Sequence, residues 1–545
     1  MIRMLAVSPD RDRARSGTAR AAIVALVVAG VVLRLLAALR PRIIESDGVY
    51  YARLAAALLR GDLAHAWSTV WPPLYPALIA GVAALPRALG MPAGPALLEA
   101  SARVVSVLAG IALLLPVHRL ARRLGGDRAA LVAVALAAVH PRLVQFSGAA
   151  LTEAVFALLI ACGVLAWMSR QGALAGAALG LATLARPEGA VLALTLGAGG
   201  ALSRGIGRAA GGGRTTLRIG TRAPALVPYV TAFLVVILPY ATFVSVRTGG
   251  PSLGEKGAYN FWRAYRTDYA RVLPEPIGLS ERVVDSPELA ERLPRTAPDI
   301  AAFMARAPGV VAKRTLERLG VNAVSSLPGA VYLPVMLVAL AGIMSLRWRV
   351  AWPAVLPLPL FVLAYAPFST DRRFFVPLVP FASVLAAVGV AWLGRWSGGV
   401  ADRRAQIGVA LAVALVVGYG GYALFAGRPI DEAPEHRAAG EWLAATFAAR
   451  PGAARNPVVM SRKPWVAYYA GALVAELPDG SLDDVRRRIR AVGADVLVVD
   501  ARWALPQRPA LAALSPDSAR ADFVPLRAWP GPPALVLYDV RGARE

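Results

Sequence analysis

Apolar runs separated by short, arginine-bearing intervals dominate this chain. They lie near 21–39, 96–117, 129–146, 151–168, 172–185, 188–202, 223–245, 328–346, 350–367, 374–394 and 405–426. Most approach the ~20 residues that cross a bilayer, so the pattern predicts a polytopic α-helical membrane protein with about eleven transmembrane helices. A further run, Leu74–Leu89, is apolar but short and bounded by prolines. Counting it as a span would place His118-Arg119-Leu120-Ala121-Arg122-Arg123 outside, against the positive-inside rule. Read as an interfacial helix, it leaves Arg204, Arg208, Arg214, Arg218, Arg222, Arg395, Arg403 and Arg404 inside. The polar tail 1–20, with Arg11, Arg13, Arg15 and Arg20, is then cytoplasmic. The first run becomes an uncleaved anchor, with Arg34 snorkelling to the interface near its outer end.

The same topology assigns a first outer loop to 40–95 and a long one to 247–327, the latter holding Tyr259-Asn260-Phe261-Trp262 and a proline-rich, charged middle section. Residues 21–427 form the membrane domain, and beyond them the pattern becomes that of a soluble unit, 428–545. Pro457–Ser461, Ala494–Asp500 and Ala534–Val540 read as strands, and Ala438–Arg450 and Ser481–Val492 as helices. Strands alternating with helices predict a small α/β domain. An odd number of spans makes it extracytoplasmic.

Composition narrows the class. With 57% hydrophobic and 17% charged residues and a mean hydropathy of +0.54, the chain lacks the charge that a soluble surface of this size needs. The net charge of +25 does not point to nucleic acid, because the arginines are scattered between apolar runs rather than gathered on one face. The single cysteine, Cys162, lies in an apolar run and excludes a disulfide framework or a cysteine metal site. No glycine-rich phosphate loop supports a nucleotide role.

Candidate chemistry gathers on one side. Under this topology Glu45, Asp47, Glu153, Glu188 and Asp371 sit at the outer ends of different spans. Arg42, Arg142, Arg186, Arg372 and Arg373 are on the same side. Ionisable groups at membrane depth are costly and mark function, and their one-sided placement suggests a single cavity at the outer leaflet. Each has a plainer alternative. Asp47 suits the N-cap of a helix beginning at Gly48. Glu153, after Thr152, suits a first helical turn. Glu188, after Pro187, opens a helix and can pair with Arg186. Arg372 and Arg373 suit a solvated edge, and Trp71 and Tyr75 an aromatic anchor at the interface.

The motif series Asp47-Gly48-Val49-Tyr50-Tyr51, Pro72-Pro73-Leu74-Tyr75-Pro76, Leu151-Thr152-Glu153, Arg186-Pro187-Glu188-Gly189 and Arg372-Arg373-Phe374, running on through Pro377 and Pro380, resembles the GT-C glycosyltransferases. Within them it is most similar to the dolichyl-phosphate-mannose protein mannosyltransferase and aminoarabinose transferase-like group, over about residues 15–430. The Trp-Trp-Asp-Tyr-Gly motif of oligosaccharyltransferases is absent. The resemblance implies a membrane glycosyltransferase, mannosyltransferase-like, of the bacterial cell envelope. It would use a polyprenyl-phosphate sugar and invert the anomeric carbon at the outer face of the plasma membrane. The acceptor would be the hydroxyl of a protein, lipid or glycan. By motif, Asp47 would be the catalytic carboxylate and Glu153 the second acidic site residue. Arg372, Arg373, Arg186 and Tyr50 would face the donor phosphate and lipid, and Glu45, Glu188, Tyr75 and Trp71 the rest of the substrate. Many members have Asp-Glu where this chain has Asp47-Gly48, with Glu45 two residues earlier. A Glu45–Asp47 pair could hold Mg²⁺ or Mn²⁺ through oxygen ligands, but the metal-free arrangement ranks above it. A transporter or flippase for lipid-linked sugars, or a non-catalytic scaffold of envelope assembly, remain alternatives.

Overall fold

The apolar runs become helices in the computed structural model, which describes residues 9–209, 225–272, 296–396 and 430–544, without 450–456, 479, 515–521, 530 and 532–533. Among the described residues, three helical stretches are long and apolar enough to cross a membrane: Pro95–Val139, Leu226–Thr248 and Arg372–Leu393. A fourth is added if Pro308–Val331 and Leu333–Ser345, bent by 105° at Tyr332, count as one span. Val24–Leu39, Glu153–Met168, Gly172–Ala185 and Glu188–Leu202 are apolar but shorter, as is the run read as interfacial, Leu74–Ala88. The expected inner loop 118–128 is instead helical, within Leu114–Val139, and is broken at one residue, Gly126 (φ 82°, ψ −172°). Only glycine enters that backbone region without strain. The run 405–426, Arg214, Arg218, Arg222, Arg403 and Arg404, and the loop section 273–295 lie outside the described residues.

The chain divides into two compact units. Unit one comprises 1–40, 103–239 and 309–427, and unit two comprises 41–102, 240–308 and 428–545. In unit one, the helix Val379–Trp396 packs against Leu333–Ser345 and Leu114–Val139. Gly342 and Gly389 make the first contact possible, since a Cβ on either would collide with a backbone carbonyl of the facing helix. Small residues at such a crossing let two apolar helices gain close packing where no water is expelled.

Arg34 corrects one expectation. It does not snorkel outward but is fully buried. Its guanidinium donates to Gly30 O (2.9 Å), Ala138 O (2.8 Å) and Ala137 O (3.0 Å). The last two are among the carbonyls that the C-terminal end of Leu114–Val139 leaves without intrahelical partners, and they carry the negative end of the helix dipole.

Unit two holds the helices Ser46–Leu59 and Leu74–Ala88 and a five-stranded sheet. The strands are β1 Val458–Ser461, β2 Leu473–Glu476, β3 Val496–Asp500, β4 Val524–Trp529 and β5 Leu535–Asp539, in the order β2-β1-β3-β5-β4. β1 runs parallel to β2 and β3, while β5 is antiparallel to β3 and β4. Side chains alternate across the sheet. Val496 and Val498 of β3 face a cluster with Leu443 and Val466, whereas Leu497 and Val499 face Val485 and Ile489. Both faces of β3 are therefore covered, which is why its sequence is continuously apolar. Ser481 caps Leu482–Val492 in a reciprocal capping box with Asp484.

Candidate active site

In unit one, the segment before Glu153 is irregular and Glu153 opens the helix Glu153–Met168. Its side chain is fully buried. Oε1 accepts from Arg186 Nη1 at 3.0 Å and from Arg373 Nε at 3.1 Å, while Oε2 has no hydrogen-bond partner among the described residues. Arg186 leaves the end of Gly172–Ala185 in an extended conformation (φ −152°, ψ 130°). There its guanidinium lies over the rings of Phe156 (5.8 Å) and Phe374 (5.2 Å), and Glu188 Oε1 stands 3.5 Å from Nη2. Apolar helices thus bury a charge cluster whose members neutralise one another, the condition under which ions persist away from water.

Arg372 and Arg373 open a 3₁₀ turn, Arg372–Leu378, capped by Asp371, which accepts from the Arg373 amide at 2.9 Å. A ladder of side chains holds the preceding loop. Arg318 Nη1 donates to Pro367 O (2.7 Å), Asn322 Nδ2 to Ser369 O (3.0 Å) and Ser326 Oγ to Thr370 O (2.7 Å). These donors are four residues apart along Pro308–Val321 and the π-helical turn Asn322–Ser326. One-turn π segments are frequent at functional sites. The Arg372 side chain is exposed and crosses Gly329 so closely that a Cβ there would lie 2.8 Å from its Nε. Among the described residues Arg372 makes no hydrogen bond or ion pair. Of the three arginines expected at a donor phosphate, Arg186 and Arg373 are anchored on Glu153 and Arg372 is open.

In unit two, Asp47 lies within the first turn of Ser46–Leu59 and does not cap it. The N-cap is the backbone of Glu45, whose side chain makes no cap hydrogen bond and is buried. Asp47 Oδ2 is 3.9 Å from Lys256 Nζ, and the carboxylate side chain is 25% exposed. Lys256 rests 3.6 Å from the centroid of Trp71, a cation–π contact. Tyr50 stacks on the same indole (4.9 Å, 12°), and Tyr51 meets both Trp71 and Tyr75 edge-on. Tyr75 is buried and its hydroxyl donates to Ala102 O at 2.9 Å. Glu255 fixes the start of the lysine's helix, Lys256–Val272, through its amide to Thr69 O (2.8 Å) and by accepting from Thr69 Oγ1 (2.6 Å).

Sequence reasoning missed Lys256, yet a signal was there. The chain has only three lysines, Lys256, Lys313 and Lys463, among 59 basic residues. Two of them act on Asp47: Lys256 by its ion pair, and Lys463 by a charge interaction, alongside one with Asp431. Burial lowers the Lys463 ammonium's pKa, and these two carboxylates oppose it. A compact ammonium, unlike a guanidinium fork, fits over one ring beside one carboxylate.

Residues 70–208, carrying Trp71, Tyr75, Glu153, Arg186 and Glu188, match the family model described as dolichyl-phosphate-mannose-protein mannosyltransferase. No curated protein sequence matches. Among solved structures, the archaeal oligosaccharyltransferase AglB from Archaeoglobus fulgidus, in complex with an inhibitory peptide and a dolichol-phosphate, is similar over 89% of this chain and 70% of its own, at 14% identity and a TM-score of 0.54. ArnT from Cupriavidus metallidurans, bound to undecaprenyl phosphate, is similar over 94% of this chain and 97% of its own, at 16% identity and a TM-score of 0.53. The chain has the GT-C fold of integral-membrane glycosyltransferases. The resemblance to the protein mannosyltransferase and aminoarabinose transferase-like group, read from its motifs, stands.

Proposed function

We propose that this protein transfers a sugar from a polyprenyl-phosphate donor to an acceptor hydroxyl at the outer face of the plasma membrane. The C-terminal sheet domain would lie on that outer side, and the anomeric carbon would be inverted. The observation that carries the reading is Arg372: an exposed cation without a partner among the described residues, beside a buried Glu153 that holds two more arginines. A lipid phosphate leaving group develops negative charge as its bond to the sugar breaks, and fixed guanidiniums stabilise that charge. Asp47 is the base. The acceptor oxygen bonds to the anomeric carbon, its proton passes to Asp47, and the bond from that carbon to the phosphate oxygen breaks to release polyprenyl phosphate. Glu153 keeps the guanidiniums in place. Glu188, Tyr50, Trp71 and Tyr75 shape the surroundings, and the acceptor is a protein, lipid or glycan.

The reading is metal-free. The Lys256 ammonium stands 3.9 Å from Asp47 Oδ2 and serves that carboxylate as a positive partner. Mg²⁺ or Mn²⁺ bound by Glu45 and Asp47 would have to displace it.

One feature favours a second reading. The 105° break at Tyr332, a non-glycine residue at φ 69°, is the kind of discontinuous helix that transporters use. Purified protein, assayed with a panel of polyprenyl-phosphate sugars, separates the two. Release of polyprenyl phosphate that disappears in Asp47→Asn supports the transferase. Movement of intact donor across vesicles, without its consumption, supports the flippase.

A further inference from the structure

The five residues ahead of Asp47 are held almost atom by atom by the C-terminal region of the same unit. Arg437 Nη1 donates to Arg42 O at 3.1 Å. The Ile44 amide donates to Tyr469 Oη (2.9 Å), and Ile44 O accepts from Trp465 Nε1 (2.8 Å). The Ser46 amide donates to Asp431 Oδ2 (2.9 Å), and Ser46 Oγ accepts from Lys463 Nζ (3.3 Å). Ile43, Ile44 and Glu45 are all buried. Trp465 and Tyr469 stand one turn apart on the short helix Trp465–Tyr469, so the two ends of one helix grip the amide and the carbonyl of a single residue. Tyr469 is itself oriented, since its hydroxyl reaches Glu99 Oε2 at 3.1 Å and Arg437 lies over its ring at 5.1 Å. Lower on the same face, Arg53 Nη2 donates to Ala472 O (2.7 Å) and Tyr468 Oη to Pro95 O (3.2 Å).

A domain that merely covered the loop would bury it with apolar side chains. This one satisfies backbone polar groups of Arg42, Ile44 and Ser46 individually, which fixes register and orientation as well as burial. Asp47 follows at the next position, in the first turn of the helix that this segment launches. We propose that the C-terminal α/β domain is the positioning element of the transferase: Trp465, Tyr469 and Asp431 set the backbone from which Asp47 reaches the acceptor. The proposal rests on the transferase reading. A displacement of about 1 Å at a reacting group costs on the order of a hundredfold in rate, so loosening the grip should be visible in turnover.

The test uses the full-length protein in lipid nanodiscs. Tyr469→Phe keeps the phenyl ring and deletes the hydroxyl's two hydrogen bonds, to the Ile44 amide and to Glu99, whereas Trp465→Phe keeps an aromatic ring and deletes the one to Ile44 O. Amide exchange over 42–49, kcat and the donor KM are measured together. The expected result is faster exchange in that segment, kcat lowered roughly tenfold for each variant and more for both, and a donor KM within about twofold of wild type. Asp431→Asn, which keeps an oxygen for the Ser46 amide, should recover most of the turnover lost in Asp431→Ala. Faster exchange with unchanged kcat overturns the proposal, as does a change confined to donor KM. If wild type consumes no donor and matches Asp47→Asn, the transferase reading itself has failed. If wild type is active, Asp47→Asn is not, and the ring variants turn over normally, only the positioning role has failed.

Discussion

Glu153 and Asp47 both occupy first turns of helices, and the protein treats them in opposite ways. Glu153 is fully buried with two guanidiniums on one oxygen. Asp47 is one-quarter exposed, with the Lys256 ammonium 3.9 Å away and Lys463 acting on it by charge, and the backbone ahead of it is held by side chains of the C-terminal region. A carboxylate sunk among arginines serves as an anchor, because its charge is needed to keep theirs in an apolar setting. One proposed to take a proton is left partly exposed, and its position is set through hydrogen bonds to the backbone ahead of it.

Exchanging each acid for its amide breaks this contrast most sharply. Asp47→Asn should lower turnover by roughly 10²–10⁴-fold, with a thermal midpoint like that of wild type. Glu153→Gln should instead destabilise the protein, by up to about 3–5 kcal/mol, since it leaves the buried Arg186 guanidinium with only the longer contact to Glu188. Unfolding scans beside turnover would invert the two roles if Glu153→Gln proved inactive but fully stable. A smaller effect is expected at the open cation. Arg372→Ala should raise the donor KM about tenfold or more, the ~1.5–3 kcal/mol of a hydrogen bond to a charged group. Gly329→Ala, which pushes on the same guanidinium, should raise it by roughly threefold, and an unchanged KM in both would remove Arg372 from the donor site. Chelation should leave turnover unaltered if the ammonium is Asp47's working partner. Activity lost to chelator and restored by Mg²⁺ or Mn²⁺ would replace Lys256 with a metal.

The smallest expected effect concerns the domain behind Asp47. His436 is buried edge-on to Trp465 and Trp503 (5.3 Å each), with Glu435 Oε1 3.2 Å from Nδ1 and Asp500 Oδ2 3.8 Å from Nε2. Burial disfavours its charged form, but the two carboxylates outweigh it and raise its pKa above the ordinary 6.5. A folded-state pKa above the unfolded one stabilises fully below that ordinary value and is lost as pH rises through the folded value. His436→Phe should therefore lower the thermal midpoint more at pH 6 than at pH 9. An equal loss at both would mean that the ring acts only by packing.

Much of this was legible in the motifs, because Asp47, Glu153, Arg186 and Arg372-Arg373 are local signatures at helix ends. The buried strands β1, β3 and β5 were legible too, as continuous apolar runs. Two strands were not. β2 is four residues long, and β4 is an exposed edge strand interrupted at Pro525, where the register with β5 shifts. A proline within a run ordinarily argues against a strand, and only an edge tolerates it. The grip on Ile44 left no trace in the sequence at all. It joins backbone atoms to side chains 421 and 425 residues away, and periodicity reports which face of an element is buried, not which distant donor meets its carbonyl. Arg34 was misjudged for the same reason.

That arginine also carries a history. The carbonyls it caps belong to residues made 103 and 104 positions later. At the ribosome's ~5–20 residues per second, roughly 5–20 seconds separate the synthesis of Arg34 from that of its partners. During that interval Gly30 O, one turn back on the same helix, is the one of the arginine's three acceptors already made. The anchorage of the first helix is thus complete only once the Leu114–Val139 helix has been made.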